Sequence, residues 1–170
     1  GVKRYYRKVD FKQQIFDIPA TVTAIEYDPN RGPRVALVEY ENGVKSYILG
    51  YQGIKVGDRI VSSKAKVEPK NGNRMPLEHI PAGMFVYNVE LEPGKGGQMG
   101  RGAGVGIQLM VVEGKYAQLK MPSSEVRLVK KECMASVGQL GNSDYKLIRW
   151  GKAGRMRYRG IRPTVIGKNM

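Results

Sequence analysis

Apolar residues recur with a period of two along most of this chain, and helical spacing is scarce. Thr21–Tyr27 is rich in β-branched and aromatic residues. Arg34–Tyr40 sets Val35, Leu37 and Glu39 against Ala36, Val38 and Tyr40. Between them Asp28-Pro29-Asn30-Arg31-Gly32-Pro33 is dense in turn formers. Glu41-Asn42-Gly43 precedes a run over Val44–Leu49, and Asn-Gly is the strongest short hairpin signal. Lys55-Val56-Gly57-Asp58 leads into Arg59–Ser62. With an opening strand over Tyr5–Lys12, the first sixty residues hold about five short strands, which suits a small closed barrel of the OB-fold type.

The polar stretch Ser63–Arg74 ends in Asn71-Gly72-Asn73 and reads as a boundary. A second strand set follows. Met84–Glu92 places Phe85, Tyr87, Val89 and Leu91 on one face, and Gly106–Glu113 does so with Ile107, Leu109 and Val111. Tyr116–Met121, Glu125–Lys130 and a last strand near Cys133–Val137 complete a second small barrel. Gly151–Gly160 is expected to hold one short basic helix. The expected organisation is all-β, with a first barrel over 1–63, a linker over 64–74, a second barrel over 75–148 and a basic C-terminal segment over 149–170.

Charge sharpens this picture through its placement. The chain carries 29 Lys plus Arg against 15 Asp plus Glu, for a formal net charge of +14. Residues 13–62 are close to neutral, whereas the first twelve residues and everything beyond residue 62 are basic. The C-terminal segment contributes Arg149, Lys152, Arg155, Arg157, Arg159, Arg162 and Lys168 and no acid, interleaved with Trp150 and Tyr158. Arginine forks onto phosphate and stacks on bases, so a segment dominated by Arg points to a nucleic-acid partner rather than to simple solubility.

One connection is unusually long. Pro93–Gly106, PGKGGQMGRGAGVG, carries Lys95 and Arg101, no acid and a glycine at nearly every second position. A loop of this length inside a compact domain is functional or disordered. Its backbone N–H groups are expected to form a concave anion site, reinforced by the two cations.

The same residues argue against an enzyme, a cofactor site and a metal site. With one histidine, His79, and one cysteine, Cys133, there is no zinc set and no Cys–His or Ser–His pair. Cys133 sits in an apolar run and reads as a small core residue, and His79 as a surface or packing residue. Gly100–Val105 breaks the GxGxxG register, and Gly151-Lys152-Ala153 lacks the hydroxyl and the glycine of a Walker loop. No apolar run reaches the length of a membrane span. Two small barrels with irregular basic loops suit the shape reading of folded RNA.

Several segments then line up in order with one family. Ile25-Glu26-Tyr27-Asp28-Pro29-Asn30-Arg31, Lys55-Val56-Gly57-Asp58, Ile80-Pro81-Ala82-Gly83, Glu92-Pro93-Gly94-Lys95-Gly96-Gly97-Gln98, Gly151-Lys152-Ala153-Gly154-Arg155 and Gly160-Ile161-Arg162-Pro163-Thr164-Val165 resemble the universal large-subunit ribosomal protein L-two family. The resemblance covers nearly the whole chain. It implies an OB-fold followed by an SH3-like barrel, and binding of large-subunit rRNA among neighbouring ribosomal components in a cytoplasmic or organellar ribosome. It also implies RNA contacts by Arg31 of the DPNR turn and Arg101 of the glycine loop, and with them Lys95, Gly96, Gly97, Gln98, Lys152, Arg155, Arg157, Arg159 and Arg162 are the expected contact residues. Family members extend further at both ends, so the chain is expected to be a core fragment. Ser124 stands where the family often has a turn glycine, and Ile166 where it often has arginine.

Three function classes compete: a structural rRNA-binding protein, a transient translation or assembly factor with similar barrels, and an enzyme acting on RNA. A factor calls for a nucleotide domain or a partner surface, and an enzyme for clustered carboxylates or a histidine pair. The chain supplies neither, since its acids are scattered singly.

Overall fold

The computed structural model describes residues 1–170 and contains twelve short strands, one α-helix and three 3₁₀ turns. The protein is all-β. The first barrel is a meander of β1 (Ala20–Glu26), β2 (Val35–Tyr40) and β3 (Lys45–Leu49), with β4 (Arg59–Ile60) returning beside β1. The strands lie in the order β3-β2-β1-β4, and all pairs are antiparallel. A bulge around Thr23 shifts the β1–β2 register and bends the sheet, as an unpaired extra residue does. Ala20, Val22, Ala36, Val38, Ile48 and Ile60 fill the interior.

An open sheet of four strands leaves two bare edges, which are costly and prone to wrong pairing. The segment 9–17 covers both. Val9 bridges Tyr47 on β3 and Phe16 bridges Ser62 just past β4, each in parallel sense. Asp10 N–H donates to Tyr47 O and Asp17 N–H to Ser62 O, both at 2.8 Å. The strand expected over Tyr5–Lys12 is therefore not a continuous ladder. Asp10 Oδ1 accepts the N–H groups of Lys12 (3.1 Å) and Gln13 (3.0 Å), and Gln13 and Asp17 adopt positive φ of 48° and 62°. This Asx turn diverts the chain after one bridge, because a short Asp side chain competes with the ladder for backbone donors.

The second barrel is a six-stranded sheet in the order β11-β10-β9-β6-β12-β5. Its strands are β5 (Arg74–Pro76), β6 (Phe85–Tyr87), β9 (Ile107–Glu113), β10 (Tyr116–Lys120), β11 (Val126–Lys130) and β12 (Met134–Val137). β7 (Val89–Glu90) and β8 (Gly97–Met99) form a separate small hairpin. The strand expected over Met84–Glu92 is thus split. Asn88 takes a φ of 51° and turns the chain out of the main sheet. β5 was not expected from its residues, and its Pro76 is tolerated because β5 is an edge strand. Cys133 is fully buried, as expected, and burial pushes its thiol up to about 11.

The two barrels share material. Tyr87 and Leu140 of the second pack into the first core, beside Tyr40, Tyr51 and Ile60. Tyr51 bridges Leu140, and Ser62 bridges Arg74. Asn73 and Arg74, at the end of the stretch expected as a linker, are buried. The Arg74 guanidinium is enclosed among strands and donates to Asn88 O at 2.6 Å and Ser136 Oγ at 3.2 Å. Burial lowers its pKa to about 10, partly offset by buried Glu90, so it stays cationic at neutral pH. Glu90 in turn accepts the N–H groups of Gly96 and Met134, each at 2.8 Å, and ties the hairpin to β12.

The turn joining β10 to β11 is closed by Ser124 N–H donating to Met121 O at 2.9 Å and Met121 N–H to Glu125 O at 2.8 Å. Ser124 holds φ at 73°, a left-handed conformation that costs an L-residue with a β-carbon about 1–2 kcal/mol. Part of that gain is returned through the greater unfolded-state freedom of glycine. Ser124→Gly should therefore stabilise the chain by about 0.5–1 kcal/mol in a urea melt. An unchanged or lowered midpoint would contradict this account of the turn.

Candidate nucleic-acid interface

The glycine-rich stretch is two features, because β8 runs through its middle. Gly97 N–H donates to Phe11 O at 3.0 Å, and Lys95 N–H donates to Glu92 O at 3.2 Å. With Gly96 N–H bound by Glu90, the amides of Lys95, Gly96 and Gly97 are spent inside the protein. The amides of residues 95–97 are therefore no part of the expected anion nest. Gly96 and Gly97 are buried and serve close approach instead. A β-carbon at Gly97 would run into Asn88, and one at Gly96 would meet Lys12 Cγ at 2.9 Å. The hairpin can therefore lie directly on the segment 9–12.

That contact gathers cations. Lys12, Lys95, Gln98 and Arg101 line an open groove of about 430 Å³ together with Val9, Asp10, Phe11 and Gly97. Lys95 and Gln98 are exposed, and Lys95 is held only by a surface ion pair with Glu92 at 2.6 Å. Such a pair is screened by solvent and gives way readily to a stronger anion. Arg101 is exposed, and its guanidinium carbon lies 4.3 Å from the centroid of the Phe11 ring.

Arg31 reaches the same ring from the first barrel, at 5.7 Å. Its turn is built by Asp28, which is buried, accepts Asn30 N–H at 2.9 Å and pairs with Arg31 Nη1 at 2.9 Å. The side chain of Arg31 keeps only 17% of its surface, so it is an oriented group rather than a free one. The two arginines singled out from the sequence, one on each barrel, therefore meet at one aromatic side chain.

The C-terminal segment approaches the other flank of the DPNR turn. Arg4, Pro29, Asn30, Arg31, Gly32, Tyr145, Arg159 and Ile161 enclose a second cleft of about 230 Å³. Arg159 lies 4.0 Å from the Trp150 ring and 5.8 Å from the Tyr145 ring, and donates to Tyr145 Oη at 2.7 Å. Its carbonyl accepts from Arg4, and Val2 N–H donates to Tyr158 O at 3.3 Å, so the two chain ends pair. Arg159 thus pins the segment in place. Lys152, Arg155, Arg157 and Arg162 remain exposed on and around α1 (Ala153–Tyr158). Arg155 and Arg157 sit in the last turn of that helix, where cations suit the helix dipole.

The sequence reading missed Phe11, Lys12 and Arg4. Nothing in composition or periodicity marks Phe11 as a site residue. The structure has no group of three or more His, Cys, Asp or Glu placed to hold a metal. It has no helix long and apolar enough to cross a membrane.

Residues 1–62 match the family described as Ribosomal Proteins L2, RNA binding N-terminal domain, and residues 70–170 match Ribosomal Proteins L2, C-terminal domain. Over all 170 residues the chain is 52% identical to the large ribosomal subunit protein uL2 of Paracoccus denitrificans and 52% identical to that of Cereibacter sphaeroides. It is 51% identical to that of Ruegeria pomeroyi. The chain spans 61%, 61% and 60% of the length of these relatives, respectively. Matched along both halves by the family and along its whole length by these relatives, the chain belongs to the ribosomal protein L2 family.

Proposed function

We propose that this chain is the RNA-binding core of a structural component of the large ribosomal subunit. In this reading it binds large-subunit rRNA and supports subunit assembly beside neighbouring ribosomal components, without catalysis. The observation that carries the reading is the convergence of Arg31 and Arg101, from different barrels, on one basic face. Residues 1–63 and 75–148 are the two binding barrels, the second extended by Arg74 at the end of the 64–74 link, and 149–170 is an accessory arm. Lys95, Gln98 and Arg101 supply contacts from the groove, and Lys152, Arg155, Arg157 and Arg162 from the arm. The bacterial relatives support a ribosome in the cytoplasm as its location.

The test is a titration of the chain against a large-subunit rRNA transcript and a length-matched unrelated RNA at several salt concentrations. Log K should fall against log salt with a slope of about −0.7 to −0.9 for each phosphate neutralised, so six contacts would cost several decades across moderate salt. The rRNA should also be preferred by at least about tenfold at each salt, since non-specific charge alone gives no preference. Equal affinity for both RNAs, or a nearly flat salt dependence, would contradict the proposal.

A truncation after Ile148 separates the arm from the barrels. No residue from Arg149 to Met170 is buried, so the shortened chain should melt within about 2–4 °C of the parent. Its salt slope should become shallower, because seven cations are gone. Unfolding of the truncated chain would show that the arm is part of the core.

A further inference from the structure

We infer that Phe11 is the positioning residue of the RNA site, a shared platform that couples Arg31 and Arg101 so that one stretch of sugar-phosphate backbone engages both barrels at once. The inference rests on the RNA-binding reading above and names how that site is organised.

The backbone of Phe11 is held from both sides. Asp10 N–H, one residue earlier, donates to Tyr47 O on β3 at 2.8 Å. The Phe11 carbonyl accepts Gly97 N–H at 3.0 Å and Asn88 Nδ2 at 3.4 Å, both from the second barrel. The Asx turn at Asp10 then fixes the direction in which the ring leaves the chain. The ring packs against the edge of the first core.

Both guanidinium groups lie over this ring, and by the sum of their centroid distances they are at most about 10 Å apart. Two like charges so close repel each other, and the electron-rich ring offsets part of that repulsion. Of the acids nearby, Asp28 pairs with Arg31, while Asp10 lines the groove with its Oδ1 engaged by two backbone amides. Arg101 has no ion-pair partner, so its donors face an incoming anion. A phosphate strand laid along Lys12, Gln98 and Arg101 would satisfy them and relieve the remaining repulsion with Arg31. Holding both arginines in advance removes side-chain ordering cost from the binding step. The ligand chemistry is that of consecutive phosphodiesters. A free phosphate would meet one guanidinium and gain nothing from the coupling.

Two readouts test this. In the free chain, the Arg31 and Arg101 side-chain NMR resonances should carry ring-current shifts that vanish in Phe11→Leu. In binding to large-subunit rRNA at one salt, Arg101→Gln should weaken the parent by about tenfold or more, as loss of a charge-assisted contact does. The same change in a Phe11→Leu background should cost less than about threefold, the shortfall being the coupling. Replacement of Phe11 by pentafluorophenylalanine keeps the ring's shape but reverses its electrostatic face. It should weaken binding by several-fold while lowering the melting temperature by no more than a few degrees, whereas a purely packing role for Phe11 would leave binding unchanged. Absent ring-current shifts, fully multiplicative losses in the double variant, or unchanged binding by the fluorinated chain would each overturn the platform while leaving the functional reading intact. Parent chain that does not prefer rRNA would overturn both.

Discussion

The structure depends on a short segment, residues 9–17, being hydrogen-bonded to both barrels. A four-stranded sheet cannot close on itself, and here the closing piece comes from the beginning of the chain. The same piece is the surface on which the glycine hairpin of the second barrel rests. Closure of the first barrel and docking of the second therefore use the same segment. Tyr87 and Leu140 reinforce the docking by crossing into the first core, where full burial of a large apolar side chain contributes about 1.5–3 kcal/mol.

Beneath this junction lies a buried polar network that is costly to leave incomplete. Arg74 has no exposure, yet its Nη1 finds only a carbonyl and a hydroxyl, and the nearest compensating carboxylate, Glu90, is occupied by two backbone amides. Removing one member of such a set strands the others in low dielectric. Arg74 touches Asn88 and Ser136, and Asn88 supports Phe11, so the buried charge connects to the basic face at Phe11 by direct contact. Surface cations act differently. In the proposed binding role, exposed Lys95, Arg155 and Arg162 would supply long-range attraction, while Arg31 and Arg101, held at Asp28 and Phe11, would supply geometry.

Much of this was legible in the residues. The alternation of Val35, Leu37 and Glu39 against Ala36, Val38 and Tyr40 places β2 with its partners, and Asn42-Gly43 places the turn to β3. Motif order pointed to Arg31 and Arg101. Three things were hidden for physical reasons. β5 begins on Arg74 and ends on Pro76, residues that deny a strand unless burial and an edge position are known. Asn88 looks like one polar step in an alternating run, but its positive φ breaks the strand. Glycine density signals close approach without saying to what, and at Gly96 and Gly97 the approach is to the protein's own Lys12 and Asn88. The Phe11 platform was invisible because its partners are distant in sequence and meet only once both barrels have folded.

Bonds from residues 9–17 to both barrels predict that the free chain moves as one rigid body. Backbone ¹⁵N relaxation of the free chain tests it most directly. A single rotational diffusion tensor should describe the amides of both barrels together, from β1 through β4 and from β5 through β12. Two separately fitting tensors would mean that the barrels tumble independently, and the account of a preassembled face at Phe11 would be contradicted.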